Sequence, residues 1–237
     1  DEAARAKREQ QALAWFTKLS QPGPIVISEK SNAQLTPANI DVWGTIITFF
    51  ALRRLNLGAD VTARYERFLL GVRGNRIDEA NSRALKLDGS LQAWAWAMGT
   101  ASWVEPTAYA MIALKSQGLG AHERVKVGER FLLDRACYQG GWNYGNKEVL
   151  DVVLDPMPTV TAYALLALQN LDRQNETIKK SLGYLESELA ERQSTLALAL
   201  GILCFDVYAR PAEKLVAGLL ARQKADGSWR ENYHLTA

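Results

Sequence analysis

One carboxylic acid stands out in the sequence because aromatic residues surround it. Glu105 opens an apolar segment, "EPTAYAMIAL", and Trp103 and Tyr109 lie within four residues of it. In an apolar pocket, a glutamic acid can stay neutral and donate a proton or a hydrogen bond. If it is ionised at the start of a helix, the same side chain interacts favourably with the helix dipole instead. Glu105 is therefore the candidate catalytic residue, and a helix-stabilising role is the alternative.

The aromatic residues around this acid are candidate ligand contacts. Trp94, Trp96 and Trp103 come directly before the predicted helix, and Tyr109 follows one helical turn after Glu105. Aromatic side chains at the mouth of a cavity provide the apolar lining that small-molecule sites use. We expect all four aromatic residues to contact a substrate.

Two further acids could act together with Glu105. Asp41, in "NIDVWGT", lies four residues before Thr45, and Asp155, in "DVVLDPMPTVTA", lies six residues before Thr161. Sugar-cleaving enzymes use two carboxylates that are either about 5 Å or about 6.5–9.5 Å apart. Asp41 and Asp155 are therefore further candidate substrate-binding residues, and a carbohydrate-active α/α barrel is one of the functions left open.

The sequence predicts neither a metal nor a cofactor. It contains two cysteines and two histidines, whereas a catalytic zinc ion needs three protein ligands and an open position. Asp134, Cys137 and His234 do not complete such a set. No glycine-rich phosphate loop or nucleophile-elbow motif occurs either. We expect no bound metal and no cofactor.

The overall composition excludes two classes of partner. The 28 basic and 26 acidic residues leave a net charge of +2, so no global field attracts nucleic acid. The longest apolar runs, such as "LALALGILCF" at 196–205, are too short to span a bilayer. The sequence thus predicts a globular protein with neither a nucleic-acid partner nor a transmembrane segment.

The apolar segment that begins at Glu105 belongs to an internal repeat with a constant spacing from threonine to leucine. Three copies and a weaker fourth occur, at Thr45–Leu52, Thr107–Leu114, Thr161–Leu168 and from Ser194–Thr195. Segments that are charged on one side only lie at 6–21, 61–72, 123–136, 177–193 and 211–223. Buried inner helices that alternate with half-exposed outer helices predict an all-α fold without strands. An α/α toroid is the expected architecture, and a straight solenoid is the alternative.

Glycine–aromatic segments follow three of the outer helices, namely "LDGSLQAWAW", "CYQGGWNYG" and "RQKADGSW". The last resembles the QW motif of squalene–hopene and oxidosqualene cyclases, with Leu219, Gln223, Gly227 and Trp229 in its positions. Together with the Thr-Ala-Tyr-Ala helices, it makes the chain similar to the prenyltransferase/squalene-oxidase repeat family from about Gln11 to the end.

This resemblance implies an α/α toroid, here as a single domain over residues 1–237. It also implies that Trp142 and Trp229 pack between successive repeats, with the glycines before them allowing a tight turn. The final Thr236-Ala237 matches the start of the other inner helices. A further inner helix is therefore expected to begin there, so that the domain is either truncated at this end or closes with fewer helix pairs than usual.

The resemblance also gives Glu105 a role. Cyclases that start by protonation carry Asp-x-Asp-Asp-Thr-Ala at the start of an inner helix, and the middle Asp is the acid. Aligning Thr107-Ala108 with this motif places Glu105 under that Asp, while the neighbouring acids are absent. Protein prenyltransferases bind zinc through an Asp-x-Cys pair, and the Asp134–Cys137 segment has one residue too many. If the chain is an enzyme, the resemblance implies a squalene-cyclase-like isomerase or lyase rather than a zinc prenyltransferase.

Three functions remain open at this point. The first is a terpenoid-cyclase-like domain whose apolar cavity acts on or binds an isoprenoid. The second is a non-catalytic toroid that binds a ligand or a protein partner. The third is the carbohydrate-active barrel.

Overall fold

The computed structural model describes residues 40–54, 59–191 and 194–229, together with six separate positions between residues 3 and 14. Most of the predicted outer helix at 6–21 lies outside the described residues, as do His234 and Thr236.

Nine α-helices, one short 3₁₀ helix (Leu119–Ala121) and one two-stranded antiparallel sheet form the regular structure of residues 40–54, 59–191 and 194–229. The helices are α1 (Val42–Arg54), α2 (Ala59–Gly71), α3 (Glu79–Ala84), α4 (Val104–Lys115), α5 (Glu123–Asp134), α6 (Pro158–Ala167), α7 (Glu176–Glu191), α8 (Thr195–Val207) and α9 (Glu213–Leu220). The strands are β1 (Glu148–Val149) and β2 (Val152–Val153). The predicted all-α class is confirmed for this part of the chain.

The helices are of two kinds, as the sequence predicts. Helices α1, α4, α6 and α8 are apolar on nearly every side, and α4 buries eight of its twelve residues. Helices α2, α5, α7 and α9 have one apolar side. In α7, for example, Ile178, Leu182, Leu185 and Leu189 are buried at the spacing of a single helical face.

The chain forms two compact units. Unit 1 comprises residues 1–79 and 88–131, and unit 2 comprises residues 80–87 and 132–237. In unit 1, α1 packs against α2 and α4. In unit 2, α6 packs against α7 and α8, and α8 packs against α9. Within each unit, the two predicted inner helices therefore contact each other.

The small sheet is a feature of the described chain that the sequence analysis missed. It lies in unit 2, between Trp142 and the repeat threonine Thr161, which are 19 residues apart. The corresponding residues of unit 1, Trp94 and Thr107, are only 13 apart. The longer segment accommodates a hairpin whose strands have two residues each, too few to produce a recognisable alternation of apolar residues.

The tryptophans that follow outer helices close back onto a preceding helix. Their indole N–H groups donate to main-chain carbonyls, with distances of 3.0 Å from Trp94 to Leu69, 2.6 Å from Trp142 to Leu132 and 3.0 Å from Trp229 to Leu219. Trp94 and Trp142 are fully buried. Each indole thus combines a large apolar contact with a satisfied polar group.

Candidate ligand site at the start of helix α4

A threonine hydroxyl fixes the segment before α4 to that helix. Thr107 Oγ1 accepts a hydrogen bond from the Trp94 N–H and donates one to the Trp94 carbonyl, both at 3.2 Å. The Trp103 N–H donates to the same carbonyl at 3.0 Å. In unit 2, Thr161 makes the same pair of bonds with Trp142, at 2.9 and 3.3 Å. The repeated threonine therefore anchors a loop to the start of an inner helix.

A buried arginine completes this frame. The Arg124 guanidinium donates to the carbonyls of Gln92 (2.7 Å), Val72 (2.8 Å) and Ala93 (3.2 Å) and lies 4.2 Å from the ring centre of Trp94. Burial lowers the pKa of Arg124 to about 10. Trp94, which the sequence suggests as a ligand contact, is thus enclosed by protein and has a packing role in the structure.

The other aromatic residues form a half-buried cluster. The rings of Trp43 and Trp96 are 4.8 Å apart and tilted by 54°, and Trp43 meets Tyr109 edge-on at 4.5 Å. The Trp96 carbonyl accepts hydrogen bonds from the N–H groups of Val42 and Trp43, at 3.1 and 3.2 Å. The start of α1, the loop before α4 and α4 itself therefore meet at these three rings, which we call the aromatic cluster.

Trp43 is the member of this cluster that the sequence analysis missed. The internal repeat could have identified it, because Trp43 lies two residues before Thr45, just as Glu105 lies two residues before Thr107. The repeat alignment thus places Trp43 and Glu105 at equivalent positions of two inner helices. In unit 1 these two helices pack together.

Glu105 lies in the first turn of α4, half-buried. Burial raises the pKa of its carboxyl above the ordinary value of 4.5. Residues four apart share a face of a helix, so Glu105 lies on the same face of α4 as Tyr109 of the aromatic cluster. Among the described residues, no side chain forms an ion pair or hydrogen bond with this carboxyl. Trp103, also half-buried, is the residue that precedes the first turn of α4.

An apolar stripe continues from the aromatic cluster along both helices. Ile47 and Phe50 follow Trp43 on α1 at helical spacing and are 40% and 42% exposed. Ile112 follows Tyr109 on α4 and is half-buried. Unit 1 thus has large apolar side chains outside its core, beginning at the aromatic cluster.

The two other candidate acids have local hydrogen bonds. Asp41 Oδ1 accepts from the Gly44 N–H at 2.8 Å, which is the geometry of a residue that caps the start of a helix. Asp155 belongs to unit 2, where its exposed carboxylate accepts a hydrogen bond from the Gln139 side chain at 3.2 Å. Both acids thus have local hydrogen-bond partners, and their role in a sugar-cleaving pair stays a prediction.

The two cysteines are buried, and burial is the main cause of their altered acidity. It raises the pKa of the Cys204 thiol to about 12 and that of Cys137 above its ordinary value. Within 40–54, 59–191 and 194–229, no three His, Cys, Asp or Glu side chains are grouped so that they could hold a metal ion.

Comparisons with known proteins supply no family for this chain. No model of a protein family matches it, and no curated protein matches it either. None of the helices in the described ranges has the length and apolar character needed to cross a membrane. Glu105, the aromatic cluster and the apolar stripe are the features that define the chemistry of the site.

Proposed function

We propose that this chain is an α/α toroid of the terpenoid-cyclase and protein-prenyltransferase type, and that its inner helices line an apolar cavity that binds an isoprenoid. Four helices support this architecture, because α1, α4, α6 and α8 are apolar on almost every side and pair within each unit. The repeated loop anchors at Thr107 and Thr161 also support it, since they give two inner helices the same start.

The observation that carries the proposal is the apolar stripe next to the aromatic cluster. Ile47 and Phe50 are large apolar side chains that a compact unit would otherwise bury, and exposed apolar surface of this kind marks ligand or partner sites. A branched hydrocarbon chain has no hydrogen-bonding groups, so contacts with such side chains are the ones it can use. Glu105 is then the polar group that orients one end of the ligand.

Any catalysis would depend on Glu105. Its raised pKa favours the neutral acid, which can donate a hydrogen bond or a proton to the ligand. The reaction class would be an acid-initiated cyclisation. The proton of Glu105 adds to a carbon–carbon double bond of the ligand, a second double bond attacks the resulting carbocation and closes the ring, and the cyclised cation then loses a proton that restores the acid. Glu105→Gln keeps the size of the side chain and removes this proton.

The test uses squalene, farnesol and geranylgeranyl diphosphate as ligands. Bound lipid and cyclised product are extracted from the purified protein and identified by mass spectrometry. Phe50→Asp introduces a charge into the apolar stripe and should abolish binding. Leu150→Asp, the matched control at a leucine that is 82% exposed in unit 2, should not. Equal binding by both variants would contradict the proposal.

A groove in unit 2 favours a second candidate function, that of a self-associating interaction module. It measures about 640 Å³ and lies between α8 and α9, where Leu203, Val216 and Leu220 remain exposed. Asp206 and Arg210 give its rim both signs of charge, so two copies can pair their charges in opposite directions. Sedimentation of wild type and Leu203→Glu tests this function. A dimer that the substitution dissociates, in a protein that binds no isoprenoid, would establish it instead.

A further inference from the structure

We propose that the site in unit 1 recognises a positively charged ligand head group, an alkylammonium, between Glu105 and the aromatic cluster. This inference rests on the proposed function, because it assumes that the apolar stripe binds a hydrocarbon chain. It adds the chemical class of the head group at the end of that chain.

The arrangement of the rings is the first step. Trp43 is tilted by 54° from Trp96 and by 86° from Tyr109, so the three π faces point in different directions. The face of an aromatic ring is its negative pole, and tryptophan attracts cations most strongly. A compact ammonium group can therefore contact more than one ring, whereas a neutral head group gains no comparable electrostatic attraction.

The unpartnered carboxyl is the second step. Unit 1 contains another largely buried acid, Glu129, and there the protein supplies two cations, Lys115 and Lys126, each 2.9 Å from a carboxylate oxygen. Glu105 has no such cation among the described residues. A cationic ligand would supply it and would favour the ionised form of Glu105.

The tryptophans lead to the same conclusion. Elsewhere in the described chain, the protein places its own cations over aromatic rings, with Arg124 4.2 Å from the Trp94 ring centre and Arg173 5.9 Å from that of Tyr208. In the described ranges, neither Trp43 nor Trp96 has a lysine or arginine over its ring. The described protein therefore supplies no cation of its own to these two rings.

The positive end of the helix repels a cation, but more weakly than an ionised Glu105 attracts it. The first turn of a helix carries roughly half a positive charge, whereas an ionised carboxylate carries a full negative one. Glu105 is in that first turn, so an ionised Glu105 leaves a net negative charge near the cluster for an incoming cation to neutralise. Ile47 and Phe50 then receive the apolar chain.

Three probes with the same hydrocarbon chain test the inference, namely farnesylamine, farnesol and farnesoic acid at neutral pH. Binding is measured by calorimetry and by quenching of tryptophan fluorescence. Wild type should bind the amine about tenfold more tightly than the alcohol, and the acid most weakly. Glu105→Gln should remove most of this preference, because it should weaken binding of the amine far more than binding of the alcohol. Glu123→Gln is the control, because Glu123 is an acid of unit 1 whose side chain is 73% exposed.

A second pair of variants tests the rings. Trp43→Phe keeps an aromatic face and should retain part of the preference for the amine, whereas Trp43→Leu keeps only an apolar contact and should lose it. If wild type binds the alcohol as tightly as the amine, the inference is wrong and the proposed function stands. If Glu105→Gln weakens both ligands equally, Glu105 shapes the site without recognising charge, and the inference is wrong again. If no probe binds, both proposals fail.

Discussion

Two threonine hydroxyls explain why threonine recurs at the start of the inner helices. Thr107 and Thr161 each accept a main-chain N–H from a preceding tryptophan and donate to the carbonyl of the same residue. A valine would fit the same space but would leave the buried N–H group without an acceptor. The repetition of threonine in Thr-Ala-Tyr-Ala therefore follows from hydrogen bonding as much as from packing.

Thr161→Val should lower the free energy of unfolding by about 1–3 kcal/mol, the cost of a buried donor that loses its acceptor. Thr159→Val, a half-buried position two residues earlier in α6, should change it by less than about 0.5 kcal/mol. Urea denaturation of both variants measures the difference. Equal stability of the two variants would show that the hydroxyl of Thr161 does not anchor the loop.

Glu105 should make stability depend on pH. Burial raises its pKa in the folded protein above the ordinary value of 4.5, so the folded state retains a proton that the unfolded state has already lost. The stabilisation is complete below pH 4.5 and is lost as the pH rises through the folded-state pKa. The free energy of unfolding of Glu105→Gln, relative to that of wild type, should therefore increase as the pH rises from 4 to 7. Urea denaturation of both proteins at each pH measures this difference. A constant difference over this range would contradict the assigned direction of the pKa shift.

The elements differ in how well the sequence predicts them. Helices of ten to sixteen residues contain several turns, so their apolar periodicity is clear and α4, α6, α7 and α8 follow from it. The hairpin at 148–153 could not be predicted from the sequence in this way. Its turn residues, Leu150 and Asp151, have positive φ angles of 50° and 63°. Glycine and asparagine are the usual residues there, and neither is present. An ion pair from Lys86 to Glu148 accompanies this unusual turn.

Leu150→Asn should raise the free energy of unfolding by roughly 0.5–1 kcal/mol, because asparagine adopts positive φ angles at lower cost than leucine. Leu150 is exposed, so little apolar burial is lost. The control is Leu203→Asn, at an exposed leucine inside α8, which should be neutral or destabilising because asparagine is a poorer helix former. Thermal and urea unfolding distinguish these results. A destabilised Leu150→Asn would mean that the turn does not limit stability.

At the scale of the whole molecule, the repeat places one fully buried tryptophan, hydrogen-bonded to a helix, in each unit. Trp94 in unit 1 and Trp142 in unit 2 are fully buried, and each donates its indole N–H to the end of a helix. Trp103 precedes α4 and is only half-buried. The stability of either unit should therefore depend on its own buried tryptophan.

Trp94→Ala and Trp142→Ala should each cost about 3–5 kcal/mol, the range for large buried aromatic side chains. Trp103→Ala should cost clearly less, because part of its ring is already in contact with water. Guanidinium denaturation, followed by circular dichroism, measures all three. If Trp103→Ala were as costly as Trp142→Ala, burial would not explain the role of these tryptophans.

The sequence predicted the helical class and the two kinds of helix because both follow from apolar periodicity and a threonine-to-leucine spacing that recurs, whereas it did not predict the division into two units. It located Glu105, Trp96, Trp103 and Tyr109 near the start of α4 for the same reason. It missed Trp43, which is distant in sequence and joins the cluster through the packing of α1 on α4. It also could not show that Trp94 is enclosed by Arg124, since that contact spans 30 residues.

The state of the two cysteines makes this protein suitable for labelling at a single position. Cys137 and Cys204 are the only thiols in the chain, and both are buried, which raises the pKa of each above its ordinary value of 9.0. Maleimides react with the thiolate form of an accessible cysteine, so the native residues should react slowly while the protein is folded. A cysteine introduced at Phe50 would then carry a fluorophore in the apolar stripe without removal of either native thiol. Such a reporter would show ligand entry directly, in real time, on the otherwise unmodified chain.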